Sequence, residues 1–284
     1  MSTDNKTEWP LVGRENHPQD TVITLDNVTI GGNNPPIIIA GPCSIESRDQ
    51  IIETAIAVKE AGADILRGGA FKPRSSPYSF QGLGEVALEY LAEAGRITDM
   101  PTDSEAVGES YVSMVAEKMS IVHIGARNSK AYELLRCAGR EAKTHGKAVL
   151  LKRGECSTIK EFLAAAEYIA LEGCLDVILC LRGIRSYESP ENGFRRYSGD
   201  IDAIPVLKRL THLPIVYDVS HSTGFREYIP ALCNAAIAAG ANGLMIETHL
   251  NPEAALTDAS QQVTPKTLSD IVTNARKIYG CLNR

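Results

Sequence analysis

From residue 36 to the C-terminus one rhythm repeats along the chain: a short apolar or β-branched run, then a longer stretch with apolar residues at helical spacing. The short runs are PIIIAGP, ADILRGG, MPTDSEA, SIVHIGA, AVLLKRG, VILCLRG, PIVYDVS and GLMIETH. Helical patterns lie between them, among them residues 49–61, 84–94, 130–145, 159–171, 226–239 and 265–279, several closed by glycine. Strands alternating with helices predict a parallel sheet, and strands apolar on both faces fit one covered on both sides. Eight is the number that closes a (β/α)₈ TIM barrel, so the fold class is α/β with residues 36–284 as the barrel. A six-stranded open sheet is the competing arrangement, but no Gly-x-Gly-x-x-Gly follows the first strand. Residues 1–35 read as a tail followed by a short hairpin over residues 21–32, with a place at the N-terminal mouth of the barrel. Residues 1–18 read as a flexible tail or an oligomer arm.

The polar residues that end the strands change the picture from fold to chemistry. In order they are Cys43, Arg67, Glu105, Arg127, Lys152, Arg182, then Asp218 with His221, then Glu247 with His249. A barrel gathers these ends on one face, where barrel enzymes keep their active sites. Any one of them could merely mark where a strand leaves the core; a full set, four of them cationic, reads as an enzyme site. Arg67, Lys72, Arg74, Arg127, Lys152 and Arg182 concentrate positive charge that needs anionic ligands to balance it, and phosphate and carboxylate suit the Arg fork. Cys43, His221, Glu247 and Asp258 offer sulfur, imidazole and carboxylate donors suited to a divalent Mn²⁺, Fe²⁺, Co²⁺ or Zn²⁺. The plainer reading of that set is a buried thiol and a helix-capping Asp, since no local zinc motif is present. His123 and His249 read as supporting or simply packed histidines.

Composition narrows the class. With 29 basic against 35 acidic residues the net charge is −6, which gives no pull toward nucleic acid or an anionic membrane. No apolar run approaches the roughly 18 residues of a membrane span, and residues 1–20 are too polar for a signal peptide. Seven cysteines without Cys-x-x-Cys spacing read as free thiols in a reducing compartment, hence the cytoplasm.

The segments AGPCSIES (40–47), LRGGAFKPRSSPYSFQGLGE (66–85), IGARN (124–128), LLKRG (150–154) and VSHS (219–222) resemble the 3-deoxy-arabino-heptulosonate 7-phosphate synthases, and among them the compact type I-beta group. The likeness runs in order from about residue 36 to the C-terminus. It implies a metal-dependent condensation of phosphoenolpyruvate with erythrose 4-phosphate, the first step of the shikimate pathway, in a homodimer or homotetramer. It implies that Cys43, His221, Glu247 and Asp258 bind the metal, and that Arg127, Lys152 and Arg182 bind the phosphoenolpyruvate phosphate, with Arg67 and Lys72 near its carboxylate. Arg74 and Ser75 match the grip on the acceptor phosphate, and Glu105 and Asp218 match acidic positions near the reacting carbons. On the chemistry of such a reaction Lys72 is the proton donor to the aldehyde oxygen, and Glu105 handles the attacking water.

The chain departs from the family pattern at Val219, Thr223, residues 257–259 and residues 191–196, all near the acceptor. That leaves open the related 3-deoxy-manno-octulosonate 8-phosphate synthases, although Lys72-Pro73-Arg74 matches the four-carbon acceptor group. A Schiff-base aldolase using Lys152, and a barrel that only senses phosphorylated metabolites, are the readings of different class.

Overall fold

The computed structural model describes residues 8–72, 76, 78–187 and 194–282. Two antiparallel strands, β1 (Val22–Leu25) and β2 (Val28–Gly31), precede β3 (Ile37–Gly41). Then follow β4 (Ile65–Arg67), β5 (Thr102–Glu105), β6 (Ile121–Ile124), β7 (Ala148–Lys152), β8 (Val177–Leu181), β9 (Ile215–Asp218) and β10 (Gly243–Glu247). Strands β3 to β10 are parallel to their neighbours, and β10 pairs with β3 to close the barrel. Helices α1 (Arg48–Glu60), α2 (Glu85–Thr98), α3 (Glu109–Lys118), α4 (Tyr132–His145), α5 (Ile159–Leu171), α6 (Ala203–Leu210), α7 (Ser220–Thr223), α8 (Ile229–Ala238) and α9 (Pro265–Leu282) follow the strands. Helices α3 and α6 have no counterpart among the helical stretches named from sequence. Both are short, and α6 carries Pro205 in its first turn.

Side chains two apart on a strand share a face, and this sorts the core into two sets. Ile38, Ala40, Leu66, Val122, Val149, Leu151, Leu179 and Ile246 point outward and pack with the helices. Ile37, Ile39, Ile65, Ile121, Leu150, Ile178, Cys180, Val216 and Met245 point inward and fill the barrel. Ile23, Leu25 and Ile30 of the hairpin belong to the same inner cluster. The hairpin is therefore a plug at the end where the strands begin, leaving the other end for chemistry.

From Trp9 onward the N-terminal segment is pinned, and the expectation of a flexible tail there is corrected. The Leu11 and Val12 amides donate to the Glu167 carboxylate of α5 at 2.9 and 3.0 Å. His212 Nε2 lies 3.0 Å from the Leu11 carbonyl oxygen, and Val12 is buried. These partners lie far along the chain, so no local pattern announces them.

Candidate active site

The inward parity that fills the barrel also builds the site. Two residues beyond the apolar inward positions Ile65, Ile121, Leu150, Cys180, Val216 and Met245 stand Arg67, His123, Lys152, Arg182, Asp218 and Glu247. Each is almost fully buried, at the C-terminal ends of the strands. A polar layer thus lies directly on an apolar one, and its charges are met by one another. Lys152 Nζ lies 2.7 Å from Asp218 Oδ2, Arg67 Nη1 2.9 Å from Glu247 Oε1, and His123 Nδ1 3.1 Å from Asp103 Oδ2.

Above this layer opens a cavity of about 330 Å³, lined by Lys72, Ser76, Ser79, Glu105, Gly125, Ala126, Arg127, Lys152, Arg182, Arg196, His221 and Asp258. Seven of the site residues named from sequence reach this wall. Arg74 and Ser75 lie outside the described residues. Arg67 does not line the cavity; its Nη1 is spent on the Pro42 carbonyl and on Glu247, behind the wall. Asp218 is also behind the wall, between Lys152 and His221 Nδ1, the latter at 2.8 Å.

Cys43, Glu247 and Asp258 bring one donor atom each within 4.8 Å of one another. His221, the fourth expected ligand, adjoins this group: its Nε2 is 3.7 Å from Glu247 Oε1. A soft sulfur, two carboxylates and an imidazole are a donor set a first-row divalent ion accepts, so the residues fit a metal. The electrostatics agree for two of them. Burial lowers the His221 pKa, so the ring is neutral and has a lone pair to give. Burial alone would raise Glu247, but His221, Arg67 and Lys72 hold it at about 2 as a carboxylate. Asp258, at the rim, is held in the left-handed region at φ 45°. Cys43 differs: burial, reinforced by Glu247, pushes its thiol up to about 12, so it is protonated and donates to Asp258 Oδ2 at 3.3 Å. Lys72 Nζ lies 3.1 Å from the same sulfur.

Both lysines of the site are protonated at neutral pH. Burial would lower Lys152, but Asp218 outweighs it; burial would lower Lys72, but Cys43 and Glu247 outweigh it.

Arg196, Ser76 and Ser79 line the cavity without having been singled out from sequence as site residues. Ser76 ends the FKPRSS block and Ser79 follows three residues later, so proximity to that block is a signal that could have found them. Arg196 follows no strand end and belongs to the long loop after β8; its only signal was that this loop carries extra residues.

With the geometry in view, the chain was compared with known proteins. A model of the DAHP synthetase I family matches residues 16–279. The phospho-2-dehydro-3-deoxyheptonate aldolase of Thermotoga maritima is 48% identical over 274 residues, 96% of this chain and 78% of the relative. A crystal structure of that organism's phospho-2-dehydro-3-deoxyheptonate aldolase (DAHP synthase) superposes with a TM-score of 0.90 at 46% identity, covering 98% of this chain and 78% of the other. A 2-dehydro-3-deoxyphosphooctonate aldolase of Nitrobacter hamburgensis is more distant, 30% identical over 260 residues, 85% of this chain and 87% of the relative. The chain belongs to the DAHP synthetase I family.

Proposed function

We propose that the chain condenses phosphoenolpyruvate with erythrose 4-phosphate to give 3-deoxy-arabino-heptulosonate 7-phosphate and inorganic phosphate, the entry reaction of the shikimate pathway. The observation that carries this reading is the adjacency of a cavity lined by a cluster of cations and a mixed S/N/O donor group, of which His221 and Asp258 line that cavity. The identity to the heptulosonate relative, 48% against 30% for the octulosonate one, favours the four-carbon acceptor.

Arg127, Lys152 and Arg182 bind the phosphoenolpyruvate phosphate, and Lys72 meets its carboxylate, with Arg67 acting from behind by holding Glu247. Arg74 and Ser75 take the acceptor phosphate. Fixing two anions in this way converts an encounter into a nearly unimolecular event, worth up to about 7–11 kcal/mol in ideal cases. Cys43, His221, Glu247 and Asp258 would hold the metal (Mn²⁺, Fe²⁺, Co²⁺ or Zn²⁺), which when bound supplies Lewis-acid polarisation of the acceptor aldehyde. The methylene carbon of phosphoenolpyruvate forms a bond to the aldehyde carbon, and Lys72 delivers the proton that makes the aldehyde oxygen a hydroxyl. Water then adds to the phosphate-bearing carbon with one proton passing to Glu105, and as the carbon–oxygen bond to phosphate breaks the remaining hydroxyl proton passes to the departing phosphate, leaving the ketone. Asp218 keeps Lys152 charged and His221 oriented. A protonated Lys152 paired with Asp218 is no amine nucleophile, which counts against the Schiff-base alternative.

The cytoplasm is the compartment proposed, supported by seven free cysteines. No helix among the described residues is long and apolar enough to cross a membrane. A homodimer or homotetramer is the assembly proposed, on the family resemblance. Phosphate release from phosphoenolpyruvate plus erythrose 4-phosphate tests the reading. Release should require both substrates, stop with a chelator and return with Mn²⁺ or Co²⁺; release in a metal-free preparation would contradict it.

A further inference from the structure

The loop after β10 carries two consecutive glutamines, Gln261 and Gln262, each only 1% exposed. Gln262 accepts from the Cys43 amide at 3.1 Å and donates to the Thr257 carbonyl at 2.8 Å. Gln261 donates from Nε2 to Glu247 Oε2 at 2.6 Å, while its Oε1 accepts from Arg196 Nη1 at 3.3 Å. A carboxylate only accepts and a guanidinium only donates, so the Gln261 amide has one orientation between them. Glu247 Oε1 takes the Arg67 guanidinium at 2.9 Å, so both carboxylate oxygens are pinned, from opposite sides.

Arg196 is itself held in place. Its amide donates to the Thr223 carbonyl at 2.6 Å, and that of Tyr197 to the Ser222 carbonyl at 3.1 Å, which ties the segment to the turn bearing His221. Gly224, at φ +79°, lets it approach: a Cβ there would stand 2.9 Å from Arg196 Cβ. The guanidinium lies 5.5 Å from the Tyr197 ring centroid and 3.9 Å from Asp258 Oδ1. It thus adjoins the donor residue Asp258 and, through Gln261, reaches Glu247, while facing the cavity.

We propose that Arg196 and Gln261 are a positioning pair: Arg196 fixes the Gln261 amide, and Gln261 fixes the plane of Glu247 for the metal. The inference rests on the reading that Cys43, Glu247 and Asp258 hold that metal. Partners behind a metal ligand set its orientation, and losing one typically weakens metal binding by about 10–100-fold. Simple electrostatics makes the opposite prediction for Arg196, because removing a cation beside a cation site should strengthen binding. The sign of the effect therefore separates positioning from charge.

The test is Co²⁺ affinity by competition with a chelator, read from the near-ultraviolet thiolate-to-cobalt absorption. The proteins are the wild-type chain, Cys43→Ala, Gln261→Met, Arg196→Met and the Arg196→Met/Gln261→Met double variant. Gln261→Met should weaken Co²⁺ by about 10–100-fold. Arg196→Met should also weaken it, by a smaller factor, and should cause no further loss in the Gln261→Met background. Arg196 is partly exposed, so its variant is expected to fold, which metal-free thermal unfolding checks, and it carries the test if Gln261→Met does not fold. Wild-type affinity in either single variant, tighter binding in Arg196→Met, or an equal loss from Arg196→Met in both backgrounds would overturn the pair. A wild-type chain without a Cys43-dependent band would instead remove the metal assignment itself, and the pair's role with it.

Discussion

Glu105 stands at the cavity wall because residue 125 has no side chain. A Cβ at Gly125 would fall 1.9 Å from Glu105 Oε1, so Gly125→Ala must drive the carboxylate out of its place. The expected result is a large loss of kcat with the KM for phosphoenolpyruvate little changed, since Glu105 is assigned to the water and not to the phosphate. Steady-state kinetics on the folded variant would check this. At Cys43 the consequence concerns pH. The thiol is held up at about 12 by burial and by Glu247, and only the thiolate ligates a metal. Uptake must therefore release a proton. Below the thiol pKa, affinity should rise by about tenfold per pH unit, and between pH 7 and 9 the already neutral His221 adds nothing to that slope. Chelator competition across this range measures it, and a flat profile would remove Cys43 from the ligand set. At this scale the sequence singled out the residues that end the strands, and the structure gathers them at the cavity or beside it. It gave no role to Arg196 or Gln261, because their pairing crosses the site, Arg196 from the loop after β8 and Gln261 from the loop after β10. It put Arg67 near the substrate carboxylate and could not show that its guanidinium also holds Glu247, far along the chain.

The strands were the most readable elements, for a physical reason. Buried on both faces, the barrel strands other than the polar β5 appear as apolar runs, and six of them end where the inward position two residues on turns polar. Helices α3 and α6 were not, being short and, in α6, carrying a proline. The hairpin was legible as a hairpin, with Asp26 in the left-handed region at its turn, φ 50°. What the hairpin does for energy depends on packing. Ile30 is fully buried in the barrel's inner cluster, so Ile30→Ala should cost about 2–5 kcal/mol in denaturant unfolding. Because the plug lies at the end opposite the site, kcat at a permissive temperature should be unchanged. A loss of activity without a loss of stability would show that the two ends are coupled.

Taken whole, the molecule sets a cationic cavity inside an acidic chain. Lys72, Arg127, Lys152, Arg182 and Arg196 face the cavity against Glu105 and Asp258, while the net charge of the chain is −6. Bulk charge gave no pull toward nucleic acid but could not report the cavity, because charge is read there by position. The proposed reaction also carries an expectation about acceptor length. In the proposed reaction the aldehyde sits at the Cys43–Glu247–Asp258 group, while the acceptor phosphate sits on the Lys72-Pro73-Arg74-Ser75 segment, whose proline limits the backbone. On this proposal the two sites measure the chain between them, so a four-carbon aldose phosphate should reach both and a five-carbon one should hold its aldehyde away from the donor group. The measurement that tests this most directly is the ratio of kcat/KM for erythrose 4-phosphate to that for arabinose 5-phosphate, with phosphoenolpyruvate saturating and Mn²⁺ present. A ratio well above one is predicted; a ratio below one would contradict the heptulosonate assignment.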